Sequence, residues 1–132
     1  MATYCFATES AAYRSANDIE NRINELKSSG NSPQDSELKA FEDFAVECSI
    51  LKVAGSDNGQ NCANHGIQSF GGMGYSCDSP LDMAWRDSRI AQIYEGTNEI
   101  NKMLSIAMIL KKASRGEIDI ITKSSEVLNK VK

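Results

Sequence analysis

The chain has 132 residues, of which 41% are hydrophobic and 24% are charged, and its formal net charge is −4 at pH 7. This length suits one domain with a single core, and the composition is typical of an ordinary soluble globular protein. The negative charge argues against a nucleic-acid partner, because phosphate binding requires clustered Lys and Arg. No apolar run approaches the ~20 residues that span a bilayer, and no signal peptide opens the chain.

The four cysteines contain no Cys-x-x-Cys pair, and nothing else in the sequence marks a secreted protein. We therefore expect reduced thiols rather than a disulfide framework. Cys62 and His65 could in principle join Cys48 and Cys77 in a zinc tetrad. Their spacing is irregular, and Cys48 falls on the apolar face of a predicted helix. Structural thiols and no metal site are the better interpretation.

Two amphipathic helices are predicted in the first half of the chain. The first runs from about Ala2 to Ser29, because apolar residues recur there every three or four positions. Gly30 suits a left-handed C-cap, and Ser32-Pro33 supplies an N-cap and a first-turn proline for the second helix. We expect the second helix to continue up to the glycine-rich stretch at Gln68, although two glycines in its middle could kink or stop it.

Two further helices are predicted after the glycine-rich stretch. Ser79 and Pro80 start the third helix with the same cap-and-proline device, and Gly96 interrupts it. Thr97 can cap the fourth helix, because its side-chain oxygen can accept a free backbone N–H of the first turn. The fourth helix has a basic last turn, as the helix dipole favours, and it closes at Gly116.

These four helices predict an all-α fold, an up-and-down four-helix bundle over residues 1–116. Their apolar stripes should face the core. We expect four stripe residues in particular to be buried: Leu38, Phe41, Ile100 and Leu104. Residues 117–132 mix apolar side chains with Lys and Ser, which predicts either a short amphipathic helix or a linker to a further domain.

The stretch from Gln68 to Pro80 is predicted to be irregular. Gly71, Gly72 and Gly74 allow positive φ and let bare backbone approach a ligand. The N–H groups of such a loop can cradle a phosphate or pyrophosphate, but a simple connector between helices is the alternative for glycine alone. The loop is neither a P-loop nor a Rossmann fingerprint, because no strand precedes it and no GK[ST] follows it.

Glu95 is the candidate catalytic residue. It lies between Tyr94 and Gly96 at a helix break, where backbone N–H groups are left free to bind a ligand. A carboxylate with an apolar neighbour and no adjacent Lys or Arg is a candidate general base. The alternative is a solvated surface glutamate, which is the commoner case when spacing alone is considered.

The segment Tyr94-Glu95-Gly96-Thr97-Asn98-Glu99-Ile100, preceded by Arg86-Asp87-Ser88-Arg89-Ile90, closely resembles the C-terminal signature of acyl-CoA dehydrogenases. The loop Gln68-Ser69-Phe70-Gly71-Gly72-Met73-Gly74-Tyr75 resembles the other signature of that C-terminal domain, Gln-x-x-Gly-Gly-x-Gly. The two motifs have the right order and spacing, and the resemblance covers at least residues 3–116. It is nearest the very-long-chain-type branch. Because the chain is too short to be the whole enzyme, the resemblance implies a fragment, the C-terminal helical domain.

The resemblance implies α,β-desaturation of fatty acyl-CoA thioesters in fatty acid β-oxidation, with flavin adenine dinucleotide (FAD) as cofactor. Glu95 would be the catalytic base, and Tyr94 and Gly96 would contact the substrate. The implied cofactor contacts are Gln68, Ser69, Phe70, Gly71, Gly72, Thr97, Asn98 and Glu99. The first five would contact the FAD of a neighbouring subunit, and Ser69-Phe70 departs there from the Ile-His or similar pair that relatives often have.

The implied partners are an acyl-CoA substrate, an electron-transfer flavoprotein and further copies of the parent chain in a homo-oligomer, a dimer or tetramer. The implied location is a bacterial cytoplasm or a mitochondrial matrix. The isolated 132-residue chain is expected to be inactive, because it lacks the domains that supply much of the flavin and acyl-CoA site. The alternative from another functional class is a non-catalytic helical module for assembly or oligomerisation.

Overall fold

The structure is a computed structural model that describes residues 1–131, without the side chains of Ile121 and Val131. Lys132, the end of the predicted tail, lies outside the described residues. The helices in chain order are α1 (Ala2–Ser28), α2 (Pro33–Asp43), α3 (Ala45–Phe70), α4 (Gly72–Tyr75), α5 (Pro80–Ile90), α6 (Asn98–Ser114) and α7 (Ile120–Val131). Residues 1–131 contain no strand, and the predicted all-α class is confirmed.

The predicted helix caps are confirmed. The side chains of Ser32, Ser79 and Thr97 each accept a backbone N–H in the first turn of α2, α5 and α6, respectively. Gly30 has a φ of +91°, which is the left-handed conformation that ends α1. Such capping satisfies backbone groups that the helix itself leaves without partners. These local signals therefore fix where the helices start and stop.

The predicted second helix is in fact two helices. α2 ends at Asp43, and Phe44 leaves the helical conformation (φ −100°, ψ 14°) before α3 begins. The carbonyl of Asp43 accepts a hydrogen bond from Lys112 Nζ at 2.7 Å, so a side chain of α6 satisfies a backbone group at the break. α3 then runs without interruption through the glycines in its middle to Phe70, and the stop that they could cause does not occur.

The glycine-rich stretch is partly helical, which corrects the prediction of an irregular loop. Of its three glycines, only Gly71 has a positive φ, at +60°. Gly72 and Gly74 lie in the short helix α4, and Gly74 is buried. A Cβ atom at Gly74 would lie 2.7 Å from the carbonyl oxygen of Ile67. Glycine is therefore required at this position because of close packing against the end of α3, and not because of a positive φ.

Helix α3 lies at the centre of the fold. α1 runs antiparallel to α2 and α3 along one side. Arg22 Nε of α1 contacts Asp43 Oδ2 at 2.9 Å, and Thr8 Oγ1, nearer the start of α1, accepts a hydrogen bond from Asn58 at 2.8 Å. On the other side α5 and α6 follow one another along α3, α5 against its C-terminal half and α6 against its N-terminal half. Helices α1 to α6 thus form a row of three antiparallel layers, and the predicted up-and-down four-helix bundle is not confirmed.

The apolar stripes mostly point away from α3, and four burial predictions are therefore wrong. Leu38, Phe41, Ile100 and Leu104 are 63%, 57%, 58% and 47% exposed. An outer helix in a row of layers has only one covered face, and that of α6 carries Asn98 and Ser105, which are buried. The buried apolar residues of the described chain are Leu26, Ala40 and Val46.

Three features of the described residues bear on the class of protein. None of their helices combines the length and apolarity needed to cross a bilayer. All four cysteines are free thiols. Across the part of the chain that the structure describes, no three side chains of His, Cys, Asp or Glu come together as a metal site would require.

Candidate active site

The predicted helix break holds an unusual backbone turn. α5 ends at Ile90, and a series of turns leads to Thr97, the N-cap of α6. Glu95 and Gly96 both have positive φ, at +55° and +81°, and Glu95 is the one non-glycine residue with positive φ between residues 1 and 131. A side-chain-bearing residue in this conformation is uncommon and often marks a functional site. The turn therefore supports a special role for the Glu95 backbone.

The turn presents two free donors next to a carboxylate. The N–H groups of Glu95 and Gly96 donate to no acceptor among the described residues. The Glu95 residue itself is exposed, and Tyr94 beside it is 51% exposed. The free N–H groups that the helix break predicts are therefore present, and they lie on the same short segment as the carboxylate.

Two side chains hold the carbonyl of Gly96. Lys52 Nζ of α3 donates to this oxygen at 2.8 Å, and Asn101 Nδ2 of α6 donates to it at 2.9 Å. A Cβ atom at Gly96 would lie 3.0 Å from Asn101 Nδ2, in addition to the strain of a positive φ. Glycine is therefore the residue that lets Asn101 approach the turn so closely.

Asn98 anchors the start of α6 to α3. It is 3% exposed, and its Nδ2 donates to Ser56 Oγ at 2.9 Å and to Asp57 Oδ1 at 2.8 Å. Its Oδ1 accepts from Lys52 Nζ at 2.8 Å, and its backbone N–H donates to the carbonyl of Gln92 at 3.0 Å. The polar atoms of this side chain are thus used within the domain, because a buried amide must have partners.

Thr97 and Glu99 border a cavity of about 320 Å³ between α3, α5 and α6. The hydroxyl of Thr97 caps α6 by accepting the N–H of Ile100 at 3.3 Å. A hydrogen bond from its own backbone N–H and a second from Thr97 lower the pKa of Glu99, and the positive charges of Lys102 and Arg89 act in the same direction. Glu99 therefore favours its ionised form.

The predicted cofactor contacts of the glycine-rich stretch are exposed: Gln68, Ser69, Phe70, Gly71 and Gly72. A Cβ atom at Gly71 or Gly72 would meet no atom within 4 Å, so the backbone there is open to a ligand. Ser69 Oγ donates to the carbonyl of His65 at 2.7 Å, which leaves its lone pairs free to accept. The two glycines thus present bare backbone, and Gln68, Ser69 and Phe70 present side chains, to their surroundings.

The two predicted clusters lie far apart within one chain. The Glu95 turn contacts α3 at Lys52, whereas the glycines of the glycine-rich stretch follow the end of α3 at Phe70. At a rise of 1.5 Å per residue, these points are about 27 Å apart along the helix. That the glycine-rich stretch contacts a cofactor other than the one beside Glu95 stays a prediction.

Five residues that shape the site were missed by the sequence reasoning: Lys52, Ser56, Asp57, Gln92 and Asn101. For the three on α3 the signal is a polar row on that helix, although the row does not report which residues it contacts. Lys52 and Ser56 are one turn apart and Asp57 is adjacent, so all three lie on the face that α6 covers. Gln92 Nε2 joins the network through Asp57 Oδ1 at 2.7 Å.

Comparison with known proteins settles the family. The family model described as "Acyl-CoA dehydrogenase, C-terminal domain" matches residues 1–110. The chain belongs to the acyl-CoA dehydrogenase family. This confirms the resemblance of the two motifs and identifies the chain as the family's C-terminal domain.

Relatives of this acyl-CoA dehydrogenase domain are found among curated proteins and solved structures. The chain is 34% identical over 127 residues to a probable acyl-CoA dehydrogenase of Bacillus subtilis (strain 168), covering 96% of this chain and 21% of that protein. It is 40% identical over 68 residues to a short-chain-specific acyl-CoA dehydrogenase of Megasphaera elsdenii, covering 52% and 18%. A crystal structure of an acyl-CoA dehydrogenase complexed with FAD from Bacillus anthracis superimposes with a TM-score of 0.88 at 32% identity, covering 98% of this chain and 22% of that one. The chain thus spans about a fifth of the length of these relatives.

Proposed function

We propose that this acyl-CoA dehydrogenase domain serves the α,β-desaturation of fatty acyl-CoA thioesters in β-oxidation, as the C-terminal part of a longer enzyme. We refer to that longer enzyme as the complete enzyme. The observation that carries the proposal is the turn of Glu95 and Gly96. It combines two positive φ angles, an exposed carboxylate and two free N–H groups.

Glu95 is the proposed base that removes the α-proton of the thioester. This proton is only weakly acidic, so the thioester carbonyl must be polarised while the enolate develops. The free N–H groups of Glu95 and Gly96 are suitable donors to that carbonyl oxygen, and the carboxylate then accepts the proton. Tyr94 offers an aromatic surface to the substrate beside the turn. Neighbouring domains that exclude water would strengthen each of these interactions.

The donor groups of the domain fit FAD, which the Bacillus anthracis relative contains. Gln68–Gly72 would hold the ADP half of a neighbouring subunit's FAD through open backbone, and Thr97 and Glu99 would contact the flavin. Asn98 has its side-chain atoms and its backbone N–H engaged inside the domain, so we assign it to orienting these neighbours, and its FAD contact stays a prediction. Bound FAD supplies the acceptor for the hydride that leaves the β-carbon.

The test of this function is Glu95→Gln in the complete enzyme. The change keeps the size of the side chain and removes the base, so the rate of acyl-CoA oxidation should fall by ~10²–10⁴-fold or more. Flavin content should not change. Glu20→Gln, at an exposed position of α1, is the matched control and should keep the parental rate. Parental turnover in Glu95→Gln would show that Glu95 is not the base.

A second candidate function, a non-catalytic assembly module, is favoured by the outward face of α6. Ile100, Met103, Ile106 and Leu110 on this helix are all more than half exposed, and apolar patches of this kind mark contacts with other proteins or domains. The absorbance of the purified complete enzyme separates the two functions, because the isolated chain is expected to lack much of the flavin site under both. A yellow flavin chromophore supports a flavin site, whereas a colourless protein with a helical circular dichroism spectrum favours the assembly module.

The remaining features of the proposed enzyme follow from the family. We propose an acyl-CoA substrate, an electron-transfer flavoprotein as electron acceptor, and a homo-oligomer, either a dimer or a tetramer. The location would be a bacterial cytoplasm or a mitochondrial matrix. Membership of the very-long-chain-type branch, and the division into a domain of residues 1–116 and a tail of residues 117–132, stay predictions.

A further inference from the structure

We propose that Lys52 is a positioning residue for the reaction, acting on the Glu95 turn through the carbonyl of Gly96 and the side chain of Asn98. This inference rests on the proposed function, because it assumes that Glu95 is the base. It adds a residue that belongs to neither sequence motif. Lys52 touches no proposed reacting atom, so its effect would be indirect.

The contacts of Lys52 are specific and short. Its Nζ donates to the Gly96 carbonyl and to Asn98 Oδ1, both at 2.8 Å. Lys52 is half-buried, and it makes no ion pair within 4.0 Å among the described residues. Its charge therefore acts on two neutral oxygens, and hydrogen bonds with one ionised partner are about twice as strong as neutral ones.

Lys52 joins the turn to the central helix. The Gly96 carbonyl belongs to the turn, and Asn98 is the first residue of α6, so one ammonium group contacts both from α3, and Ser56 and Asp57 hold Asn98 as well. The N–H groups of Glu95 and Gly96 have no partners within the described chain. The position of the carboxylate and of these donors therefore depends on what holds the Gly96 carbonyl.

Asn101 does not duplicate this role. Its Nδ2 lies within 3.5 Å of three carbonyl oxygens, those of Glu95, Gly96 and Thr97. Its two N–H groups are shared among these three acceptors, of which the Gly96 carbonyl is the nearest at 2.9 Å. Asn101 also belongs to α6, and so it ties the turn to its own helix rather than to α3. Among the hydrogen bonds of residues 1–131, only that of Lys52 joins α3 to Glu95 or Gly96 themselves. The bond from Gln92 Nε2 to Asp57 joins α3 to the loop that precedes them.

The first test is Lys52→Met in the complete enzyme, loaded with FAD. A displacement of about 1 Å in a catalytic group can cost ~10²-fold in rate, so kcat should fall by about that factor while KM and flavin content change little. The kinetic isotope effect with an α-deuterated acyl-CoA should rise, because removal of the α-proton becomes slower. A loss of stability without a change in kcat per bound flavin or in the isotope effect would overturn the proposal.

Lys112→Met is the matched control. Lys112 is also a half-buried lysine that donates to a backbone carbonyl, that of Asp43 at 2.7 Å, but it lies near the opposite end of α6. Lys52→Met loses two charge-assisted hydrogen bonds and Lys112→Met loses one, and only Lys52→Met should lower kcat. Equal losses of kcat in the two variants would reduce Lys52 to a structural role and overturn the proposal.

The second test is independent of the reaction and uses the 132-residue chain. The backbone N–H of Asn98 donates to the carbonyl of Gln92, and its amide hydrogen exchange should accelerate in Lys52→Met but not in Lys112→Met. Unchanged exchange at Asn98 would overturn the positioning role. If Lys52→Met does not fold, Lys52→Gln, which keeps an N–H donor without the charge, takes its place in both tests. Parental turnover in Glu95→Gln would instead count against the proposed function, and the exchange result would still judge the role of Lys52.

Discussion

At the scale of single residues, Glu99 makes the stability of the folded chain depend on pH. Its lowered pKa means that the folded state favours the carboxylate more than the unfolded chain does. The stabilisation should be complete above the ordinary glutamate pKa of about 4.3 and should be lost as the pH falls through the lower pKa of the folded state. The free energy of unfolding of the parent chain should decrease below about pH 4.3, and we expect a smaller decrease in Glu99→Gln. Urea unfolding at several pH values above and below about 4.3 measures the effect. The same decrease in the variant as in the parent would contradict the prediction.

Gly72 gives a second prediction at this scale, concerning cofactor binding. A Cβ atom at Gly72 meets nothing within 4 Å, so Gly72→Val should leave the domain folded while it blocks the approach of a dinucleotide. We expect reduced flavin content in the complete enzyme with little change in melting temperature. Gly74→Ala is the contrasting variant, because its Cβ would lie 2.7 Å from the carbonyl of Ile67, and it should lower the melting temperature. Normal flavin content in Gly72→Val would restore the simple-connector interpretation.

At the scale of helices, the free energy lost when a side chain is shortened depends on whether that side chain lies on the covered or the exposed face of its helix. Leu26 of α1 is 6% exposed, and Leu26→Ala should cost about 2–5 kcal/mol of unfolding free energy. Leu104 of α6 is 47% exposed, and Leu104→Ala should cost about 1 kcal/mol or less in this chain. Chemical denaturation of both variants tests the layer arrangement. A larger cost for Leu104 than for Leu26 would support the predicted four-helix bundle instead.

The sequence predicted the helix ends that depend on nearby residues, but it did not predict which face of each helix is covered. Ser32, Ser79 and Thr97 cap the helices that follow them, because a cap depends on residues a few positions away. The orientation of α6 was predicted wrongly, because a stripe was assumed to face inward. In this chain the covered face of α6 carries Asn98 and Ser105, and its stripe faces outward.

The same limit applies to the candidate site. Glu95 and its free N–H groups follow from a motif and a helix break, and both can be read from neighbouring residues. Lys52 and Asp57 are joined to Asn98 across 46 and 41 positions in the chain, respectively. No pattern within one segment reports such pairs. The sequence therefore predicted the residues of the turn but not those that hold it.

At the scale of the whole molecule, we predict that the isolated chain does not desaturate acyl-CoA. The row of three layers leaves Glu95 exposed to water, and nothing within the described residues encloses a flavin and an acyl chain beside it. The polarisation of the carbonyl that the reaction needs is weak in water. Dye-linked assays with several acyl-CoA lengths and added flavin should show no turnover. Measurable turnover that depends on Glu95 would overturn the expectation.

The outward face of α6 also gives the free and the assembled domain different chemical lifetimes. Met103 lies on this face and is 73% exposed. An exposed thioether is open to peroxides, and its sulfoxide is polar and poorly suited to an apolar contact. A free copy of the domain would therefore lose its ability to join an apolar partner surface as it is oxidised. A copy whose α6 is already covered would be protected by that contact, so assembly would preserve the surface on which it depends.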